Sequence, residues 1–469
     1  MAVKIAFIAF YSWNFQNFGV RTLHSVAEQA GAEAFTIFLK NYETNQFNQP
    51  TPQEEQLLLN ILKEISPGII SFTVLSPFVK TAQHITKSVR KEFPEAIFLW
   101  GGIHPTINPE DCPEDVDLIC QGEGEGAITD IIHCMSTPEC KPFQKSIQNI
   151  NGVAPRPLIE DLDSLPAPKY GSSNFFLIEN NVITREDLAL NHGNYYLLTS
   201  RGCPWQCAYC VNSLLKPMYQ GLGNYVRRKS IETVINEIKN FMKIGKVNYI
   251  YFNDEVFSTD KNWVEEFSIR YKKEINLPFF ACYHPRMLRK ELIEKLISAG
   301  LDKVDLGIQS GSDRIRNEIF NRPGYNEEII QLSRALHEGG VKTMYDLILD
   351  NPYESKATLS DTIFLMYQLP LPSEFNLFSL QFFPKYPITE RAIHDGYSIS
   401  EHAMAGMRYT PKLFPLKRTR MLQNVIWLIA NKVVDKNTAE SATKSYFKLL
   451  LLHLKSIYHV NSQNIPFHK

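Results

Sequence analysis

Short apolar runs alternate with amphipathic segments along the first 135 residues. Residues 54–65 repeat apolar side chains at intervals of three and four, a spacing that predicts a helix with one buried face. Five apolar runs with the length of buried strands surround it, at residues 3–10, 34–39, 68–74, 96–100 and 117–120. Strands that alternate with helices predict a parallel sheet covered on both faces. Ligands of such sheets bind at the carboxyl ends of the strands.

A second alternating region begins at Tyr195. Its predicted strands are residues 195–200, 249–253, 279–283, 303–308 and 343–349, and its predicted helices are residues 231–243, 262–271 and 290–299. Repeated strand and helix units of this length predict a full or partial barrel. From about Tyr397 onward the pattern is helical and basic, while the many prolines of residues 137–168 indicate a linker before the barrel.

Composition narrows the functional classes. The chain has 469 residues, 44% hydrophobic and 21% charged, which suits a globular protein of more than one domain. Its 49 basic and 50 acidic residues give a net charge of -1, so it lacks the basic excess that favours nucleic acid or anionic lipid. No apolar stretch reaches the ~18 residues of a membrane span. We therefore expect a cytoplasmic protein without a nucleic-acid partner.

The sharpest chemical signal is a run of three cysteines, Cys203, Cys207 and Cys210, directly after the first strand of the second region. Three thiolates from one short loop can bind three irons of a four-iron cluster and leave the fourth iron open to an outside ligand. Two alternatives remain, a zinc site completed by Cys282 or His192 and buried thiols without a ligand. Neither alternative predicts this spacing at the end of a strand.

This cysteine run and the segments after it resemble the radical S-adenosylmethionine (SAM) enzymes. In that family the loop follows the first strand of a partial, TIM-type (β/α)6 barrel, and the open iron chelates SAM. The resemblance covers most of residues 195–397 and implies that the three cysteines are the catalytic and metal-binding residues. It also implies SAM contacts from five further residues: Tyr209, Asp254, Glu255, Gln309 and Ser310. For Asp254 and Glu255 the alternative is an ordinary solvated carboxylate at a strand end.

The chain departs from the family pattern at three positions of the barrel. Gln309 stands where the family usually has Glu, and either side chain can hydrogen-bond a ribose hydroxyl or the methionine portion of SAM. After the fifth strand the family reads Gly-Leu-Pro-Gly-Glu, whereas Asp350 and Tyr353 occupy the two glycine positions here. Glycine lets a backbone approach a ligand closely, so these two residues bear on the contact with the adenine.

The N-terminal region carries a second resemblance. A Ser-Phe-Thr element ends one predicted strand and a Gly-Gly pair follows the next. A hydroxyl can bond a nucleotide tail and glycines admit its close approach, and this order ahead of a three-cysteine barrel is similar to the cobalamin-binding radical SAM enzymes. The resemblance implies cobalamin contacts from these residues: Gln16, Ser71, Thr73, Gly101, Gly102, His104, Gly122 and Glu123.

One departure concerns the lower face of cobalt. Methyltransferases and mutases that ligate cobalt from below use Asp-x-His-x-x-Gly, whereas this chain has Asn14-x-Gln16-x-x-Gly19. Without an imidazole there, we expect no strong lower bond to cobalt, which favours the nucleophilic four-coordinate cob(I) state. A side chain from residues 13–17 is expected to fill the lower side. His104 is a substitute ligand in one interpretation and a turn or supporting histidine in the other.

The remaining cysteines of the N-terminal half do not match the second cluster of the methylthiotransferases. They are Cys112, Cys120, Cys134 and Cys140. We expect them to be structural thiols, since the chain has too few cysteines for a disulfide framework.

We therefore expect an α/β protein with a Rossmann-like cobalamin-binding domain at residues 1–140, a linker at 141–190, a radical SAM partial barrel at 191–396 and a helical C-terminal region at 397–469. The implied cofactors are a [4Fe-4S] cluster, SAM and cobalamin. The implied activity is methylation of an unactivated carbon through methylcobalamin and a 5'-deoxyadenosyl radical.

The implied partners are a small-molecule or peptide substrate and an electron donor such as flavodoxin or ferredoxin. Two alternatives stay open. One is a radical cyclase, oxidoreductase or rearrangement enzyme of the same architecture without net methyl transfer. The other is a noncatalytic cobalamin or SAM sensor.

Overall fold

The computed structural model describes residues 2–12, 17–41, 49–137, 156–171, 173–257, 260–287, 289–370, 373–399, 408–409, 411–413 and 416–462. The chain divides into two compact units. The first comprises residues 1–200 and 215–248, and the second comprises residues 201–214 and 249–469.

The first unit is built on a seven-stranded sheet in the order β5-β4-β3-β1-β2-β6-β7. Its strands are β1 (Lys4–Ser12), β2 (Glu33–Asn41), β3 (Ile69–Thr73), β4 (Ile97–Gly101), β5 (Leu118–Ile119), β6 (Phe175–Glu179) and β7 (Val182–Thr184). Neighbouring strands are parallel except for the antiparallel pair β6 and β7. The central position of β1 places its carboxyl end, and those of β3 and β4, at one edge of the sheet.

Five helices accompany this sheet. They are α1 (Phe18–Gln29), α2 (Pro52–Ile65), α3 (Val79–Glu92), α4 (Ile103–Ile107) and α5 (Glu125–Ser136). Both faces of the sheet are apolar: Ile8 and Phe72 belong to one buried cluster, while Phe7 and Leu99 belong to another. Successive residues of a strand point to opposite faces, so Phe7 and Ile8 together show that the sheet is covered on both sides, as predicted.

Two strands of the first sheet come from the segment predicted as a linker. Within residues 141–190, β6 pairs with β2, matching Thr36 to Phe175 and Leu39 to Ile178, and β7 folds back on β6. The described part of this segment therefore extends the sheet instead of only connecting domains. The first unit also contains β8 (Gly193–Leu197), the short strand β10 (Arg227–Arg228) and α7 (Ile231–Met242), whose N-cap is Ser230 as predicted.

The second unit contains parallel strands in the order β11-β12-β13-β14-β15. Their bounds are Val247–Phe252, Phe279–Tyr283, Leu301–Gln309, Lys342–Leu349 and Ser373–Ser379, and β9 (Ser200–Arg201) and α6 (Asn212–Met218) flank the cysteine loop. The helices between them are α8 (Lys261–Glu274), α9 (Lys290–Ala299), α10 (Asn326–Glu338), α11 (Lys356–Met366) and α12 (Pro387–His394). This alternation is the predicted partial barrel.

The two faces of this second sheet differ in chemistry. On β13, Val304, Leu306 and Ile308 are fully buried on one face, whereas Asp305 and Gly307 occupy the other. The apolar face packs against helices, as when Phe252 contacts aromatic side chains of α8. Polar residues in the middle of the opposite face mark it as the face available for chemistry.

The C-terminal region is helical, as predicted. Its helices are α13 (Arg418–Ala430), α14 (Lys436–Lys444) and α15 (Tyr446–Ser462), and every residue of α13 from Met421 to Ile429 is buried. Among the described residues, every helix is too short or too polar to cross a membrane.

Candidate functional site

The three cysteines lie in one loop of the second unit. Cys207 is buried, and Cys203 and Cys210 are partly exposed. The loop is tied at its middle, because the Ala208 N–H donates to the carbonyl of Phe320 and the Ala208 carbonyl accepts from the N–H of Ile388. The Cys210 N–H donates to the Cys207 carbonyl at 2.9 Å. These bonds hold the thiols on one tight turn before α6.

Burial raises the proton affinity of two of these thiols. It raises the pKa of Cys203 to about 11 and also raises the pKa of Cys210, and the neighbouring thiols add to both effects. Backbone N–H groups of Trp205 and Asn212 bond the two sulfurs and oppose the rise. Such thiols stay protonated at neutral pH until iron displaces the proton, so cluster assembly releases protons.

The loop chemistry fits a cubane cluster. Each thiolate would bind a different iron, which requires three sulfurs near one another without one common centre. In the described part of the chain, no three His, Cys, Asp or Glu side chains are arranged to hold a single metal ion. Cys203, Cys207 and Cys210 are the residues that would hold the cluster, and the cluster would supply the electron that cleaves SAM.

Arg322 is a further residue of this site that the sequence did not single out. Its Nη1 lies 3.6 Å from Cys207 Sγ, and its Nε donates to the Gly307 carbonyl at 3.0 Å. Burial alone would lower the pKa of Arg322, but Tyr209 and the cluster thiols outweigh it and raise the pKa. The site therefore contains a fixed, partly buried cation beside the sulfur of Cys207. No motif announces this residue in the sequence.

Two aromatic rings flank the cysteine loop. Trp205 stacks on His284 with ring centroids 4.6 Å apart, and its Nε1–H donates to the sulfur of Met287. The His284 Nδ1 accepts from the Arg286 N–H, and burial lowers the pKa of His284 to about 2. His284 is thus a neutral ring at the end of β12.

The predicted SAM-binding residues lie in or near the cysteine loop and at strand ends of the second unit. Tyr209 packs edge-on against Phe320 at 5.0 Å. Asp254 is buried and Glu255 is exposed, so the solvated alternative suits only Glu255. Gln309 and Ser310 are buried at the end of β13. SAM contacts from these five residues remain predictions.

Two of these strand ends have unusual backbone conformations. Gln309 has φ +65° and Asp350 has φ +59°, both in the left-handed region that glycine favours. Asp350 therefore adopts a conformation that glycine favours while adding a carboxylate. Near it, burial raises the pKa of Glu354 to about 7, and Glu354 accepts hydrogen bonds from Ser310 and Thr358.

A pair of carboxyl groups occupies the polar face of the second sheet. Asp305 and Asp346, on neighbouring strands, interact electrostatically, and Asn376 Nδ2 donates to Asp346 Oδ1 at 2.9 Å. Burial first, and then the charge of Asp346, raises the pKa of Asp305 to about 8. The pair therefore retains a proton at neutral pH. The sequence analysis did not predict this pair.

The predicted cobalamin residues gather at one edge of the first sheet. Ser71 and Thr73 are on β3, and Thr73 is matched to Gly101 at the end of β4. Gly102 has φ +99°, and a Cβ there would lie 2.9 Å from the Val74 carbonyl oxygen. Glycine is therefore required at this position by the sheet edge itself. Gln16 lies outside the described residues.

His104 is enclosed by protein groups. The ring is 2% exposed, its Nδ1 is 3.2 Å from Ser76 Oγ and its Nε2 is 3.6 Å from Asp111 Oδ2. These contacts favour the turn or supporting histidine over a cobalt ligand.

The glycine and glutamate of the Gly122-Glu123 element meet protein partners in the first unit. A Cβ on Gly122 would overlap the hydroxyl of Tyr219. The Glu123 carboxylate forms a two-bond ion pair with Arg227, at 3.0 and 3.1 Å, and accepts from the Ile159 N–H. A role of either residue in cobalamin binding stays a prediction, and their contacts also give them a structural role.

The remaining cysteines of the N-terminal half include both free thiols and a disulfide-bonded residue. Cys112 and Cys120 are free, and burial raises both their pKa values to about 12. Cys134 is disulfide-bonded, so the expectation of a structural thiol is wrong for it. Cys140 lies outside the described residues.

Family comparisons agree with both predicted domains. The family described as "Radical SAM superfamily" matches residues 197–366, and the family described as "B12 binding domain" matches residues 13–132. Among curated proteins, an uncharacterised methyltransferase of Pyrococcus horikoshii is 25% identical over 65% of this chain and 65% of its own length.

Two further curated relatives have more specific names. Cytidylyl-2-hydroxyethylphosphonate methyltransferase of Streptomyces wedmorensis is 22% identical over 68% of this chain and 65% of its own length. Anaerobic magnesium-protoporphyrin IX monomethyl ester cyclase of Cereibacter sphaeroides is 23% identical over 64% of this chain and 49% of its own length. The chain thus spans less than two thirds of the length of each of these relatives.

Solved structures show the same fold. TsrM of Kitasatospora setae, a radical SAM methyltransferase solved with tryptophan and a SAM analogue, superposes with a TM-score of 0.64 at 16% identity, over 83% of this chain and 76% of its own. OxsB, a cobalamin-dependent radical SAM enzyme solved with aqua-cobalamin and SAM, gives a TM-score of 0.64 at 15% identity, over 97% and 72%.

Proposed function

Since this chain is a radical SAM protein with a B12-binding domain ahead of its barrel, we propose that it is a cobalamin-dependent radical SAM methyltransferase. The two domains imply a [4Fe-4S] cluster, SAM and cobalamin. When bound, these groups supply an electron, a carbon-centred radical and a transferable methyl group. The observation that carries the proposal is the tied loop of Cys203, Cys207 and Cys210 beside the cation of Arg322.

The residues of the second unit have distinct parts in this proposal. The cysteine thiolates hold the cluster, and the Arg322 guanidinium offers a positive charge beside it for the carboxylate of SAM. Gln309 and Ser310 end β13, where parallel sheets bind their ligands, and offer hydrogen bonds to the ribose or methionine portion. The stacked rings of Trp205 and His284 lie beside the loop and would limit its contact with water.

The first unit offers the edge of its sheet to cobalamin. Ser71 and Thr73 supply hydroxyl groups, and the backbone at Gly101 and Gly102 is free of side chains. Because His104 already contacts Ser76 and Asp111, we propose that His104 does not bind cobalt from below. Residues 13–16, where the lower side would be filled, lie outside the described residues.

The electron donor is proposed as flavodoxin or ferredoxin, and the substrate as a small molecule or peptide. The Asp305 and Asp346 pair lies on the polar face of the sheet and can both donate and accept hydrogen bonds. A substrate that enters this face would meet polar groups of the protein there.

Product analysis tests the proposed reaction. The full chain, reconstituted anaerobically with iron, sulfide and cobalamin and then reduced, is incubated with SAM and candidate substrates. Methyl transfer through two molecules of SAM yields S-adenosylhomocysteine together with 5'-deoxyadenosine. A product gaining one methyl group, with both by-products formed, is the expected result.

The similarity to a magnesium-protoporphyrin cyclase keeps a second function in view. A cyclase, oxidoreductase or rearrangement enzyme would form 5'-deoxyadenosine without S-adenosylhomocysteine. Absence of SAM cleavage by fully loaded protein would instead favour a sensor. The same assay therefore separates all three functions.

A further inference from the structure

The carboxylate of Asp350 is clamped by groups from later in the chain. It accepts hydrogen bonds from Ser379 Oγ at 2.8 Å, from Lys412 Nζ at 3.0 Å and from Arg420. Burial would raise the pKa of Asp350, but the charges of Arg420 and Lys412 outweigh burial and hold it below the ordinary value. We call these four residues the Asp350 clamp.

Buried hydrogen bonds connect the clamp to the C-terminal helices. The Lys412 carbonyl accepts from Asn424 Nδ2 at 3.2 Å, and Asn424 Oδ1 accepts from the Tyr409 hydroxyl at 2.6 Å. Asn424 Nδ2 lies 2.9 Å from His453 Nδ1, and His453 Nε2 donates to the Leu413 carbonyl. Since a carbonyl only accepts, the proton is on Nε2 and the His453 Nδ1 accepts from Asn424. Helices α13 and α15 are thereby joined to the end of β14.

Asn351, which follows Asp350 in the chain, has a buried side-chain donor without an acceptor among the described residues. Asn351 is 4% exposed, and its Oδ1 accepts from the Tyr353 N–H at 3.1 Å. This bond fixes the orientation of the amide, so the other atom is the NH2 group. In the described part of the chain, Asn351 Nδ2 meets no hydrogen-bond acceptor. Native proteins rarely leave such a donor unpaired, which points to a ligand at this position.

The loop of Asn351 adjoins the predicted SAM residues. Ser310 Oγ donates to Glu354 Oε1 at 3.4 Å, so the end of β13 and the loop after β14 are in contact. The adenine and ribose of SAM present nitrogen and oxygen acceptors that an amide NH2 group can bond.

We propose that Asn351 is a SAM-binding residue and that Arg420 is a positioning residue that holds its loop through Asp350. This inference rests on the proposed function. In this proposal the C-terminal helices position the loop that contacts SAM. The family's Leu at this position has no such donor, so the contact is a property of this chain.

Two substitutions of Asn351 test the contact. Asn351→Asp keeps the acceptor for Tyr353 and removes the donor, while Asn351→Leu places the family's apolar residue there without adding charge. Both are made in the full chain with cluster and cobalamin loaded, and SAM binding is measured by equilibrium dialysis. We expect both variants to raise the Kd for SAM about tenfold, the loss of one hydrogen bond to a buried group. Unchanged SAM affinity in folded, loaded Asn351→Leu overturns the proposal.

Substitutions in α13 test the positioning role. Arg420→Gln should weaken SAM binding, and Arg420→Lys should restore part of it because a cation is kept. The matched control is Arg418→Gln, two residues earlier on α13, whose guanidinium bonds the Thr443 carbonyl and not Asp350. The control should leave the SAM Kd unchanged. If Arg420→Gln lowers only the unfolding temperature, with SAM Kd unaltered, Arg420 has no positioning role.

If Arg420→Gln does not fold, a second variant, Asp350→Gly, tests the positioning role. Glycine tolerates the φ of +59° at this position and removes the carboxylate that Arg420 binds. Asp350→Gly should raise the SAM Kd if the clamp positions the loop and leave it unchanged if it does not. Wild-type protein that binds no SAM refutes the proposed function, whereas wild-type binding matched by the variants refutes only this inference.

Discussion

The carboxyl groups of Asp305 and Asp346 interact across two neighbouring strands of the second sheet. Two buried carboxylates repel each other when both are charged, which favours a proton on one of them. The pKa of Asp305, raised to about 8, shows that the folded protein keeps this proton at neutral pH. An unfolded aspartate loses its proton near pH ~3.9.

This difference predicts a pH dependence of stability. Below pH ~4 the folded and unfolded chains both hold the proton. As pH rises toward about 8, the unfolded chain releases a proton that the folded chain retains, so the free energy of unfolding falls. The slope for one such group is at most ~1.4 kcal/mol per pH unit. Above pH 8 this contribution stops changing.

Asp305→Asn removes the titrating group, so the free energy of unfolding should fall less steeply with pH. Denaturant unfolding at several pH values from about 5 to about 8 measures this slope. Asp302→Asn is the control, since Asp302 lies on the same strand and ion-pairs with Lys342 at 3.4 Å. The control should shift the curve without flattening it. A wild-type curve as flat as that of Asp305→Asn would show that the shared proton is absent.

The cation beside Cys207 should set the potential of the cluster. A positive charge stabilises the reduced, more negative cluster, so Arg322→Gln should lower the midpoint potential and weaken SAM binding. Arg322→Lys keeps a positive charge, so its midpoint potential should lie between those of the wild type and Arg322→Gln. Redox titration followed by electron paramagnetic resonance gives the potential. The control Arg286→Gln removes a half-exposed cation paired with Glu328 and should leave the potential unchanged. An unaltered potential in Arg322→Gln would contradict the role.

Gly102 should be indispensable to the edge of the cobalamin sheet. Gly102→Ala brings a Cβ within 2.9 Å of the Val74 carbonyl oxygen and forces a left-handed φ, which we expect to cost about 2 kcal/mol or more. Gly31→Ala is a matched control, because Gly31 has φ +89° but nothing within 4 Å. The control carries only the conformational cost of about 1 kcal/mol. Equal losses of stability in the two variants would show that the close approach at Val74 is unimportant.

The ion pair of Glu123 and Arg227 should hold the first unit together. The two side chains are 17% and 4% exposed, so Glu123→Gln leaves a buried cation unpaired and should cost about 3 kcal/mol. The exposed pair of Glu64 and Arg185 provides the control: Glu64→Gln should barely move the unfolding midpoint. Cobalamin retention is measured at a temperature where Glu123→Gln remains folded. If the folded Glu123→Gln variant loses cobalamin, Glu123 contacts the cofactor directly. If the folded variant keeps cobalamin, Glu123 has only a structural role.

Local signals in the sequence predicted most of the fold. The period of apolar residues located α2 and most strands of both sheets, though not β6, β7 or β15, because this period is set by each element's own buried face. The pairing of β6 with β2 escaped prediction. Its residues 175–178 are apolar, but their partners lie about 140 residues earlier and no local pattern encodes such a distance.

The candidate site was also predicted only in part. Cys203, Cys207 and Cys210 could be predicted as cluster ligands from the sequence because all three fall within one short loop. Arg322 meets Cys207 across 115 residues of chain, so only the folded barrel brings them together. Asp350 was noted as a departure from glycine, yet its partner Arg420 became visible only once α13 was placed.

The central claim is that three thiolates hold a four-iron cluster whose open iron binds SAM. Its most direct test is electron paramagnetic resonance of the reduced, anaerobically reconstituted full chain, recorded with and without SAM. We predict a cluster signal that SAM changes in the wild type and in Cys112→Ala, and no cluster signal when Cys203, Cys207 and Cys210 are all alanine. A cluster signal that survives the triple substitution, or a wild-type signal that SAM leaves unchanged, would contradict the claim.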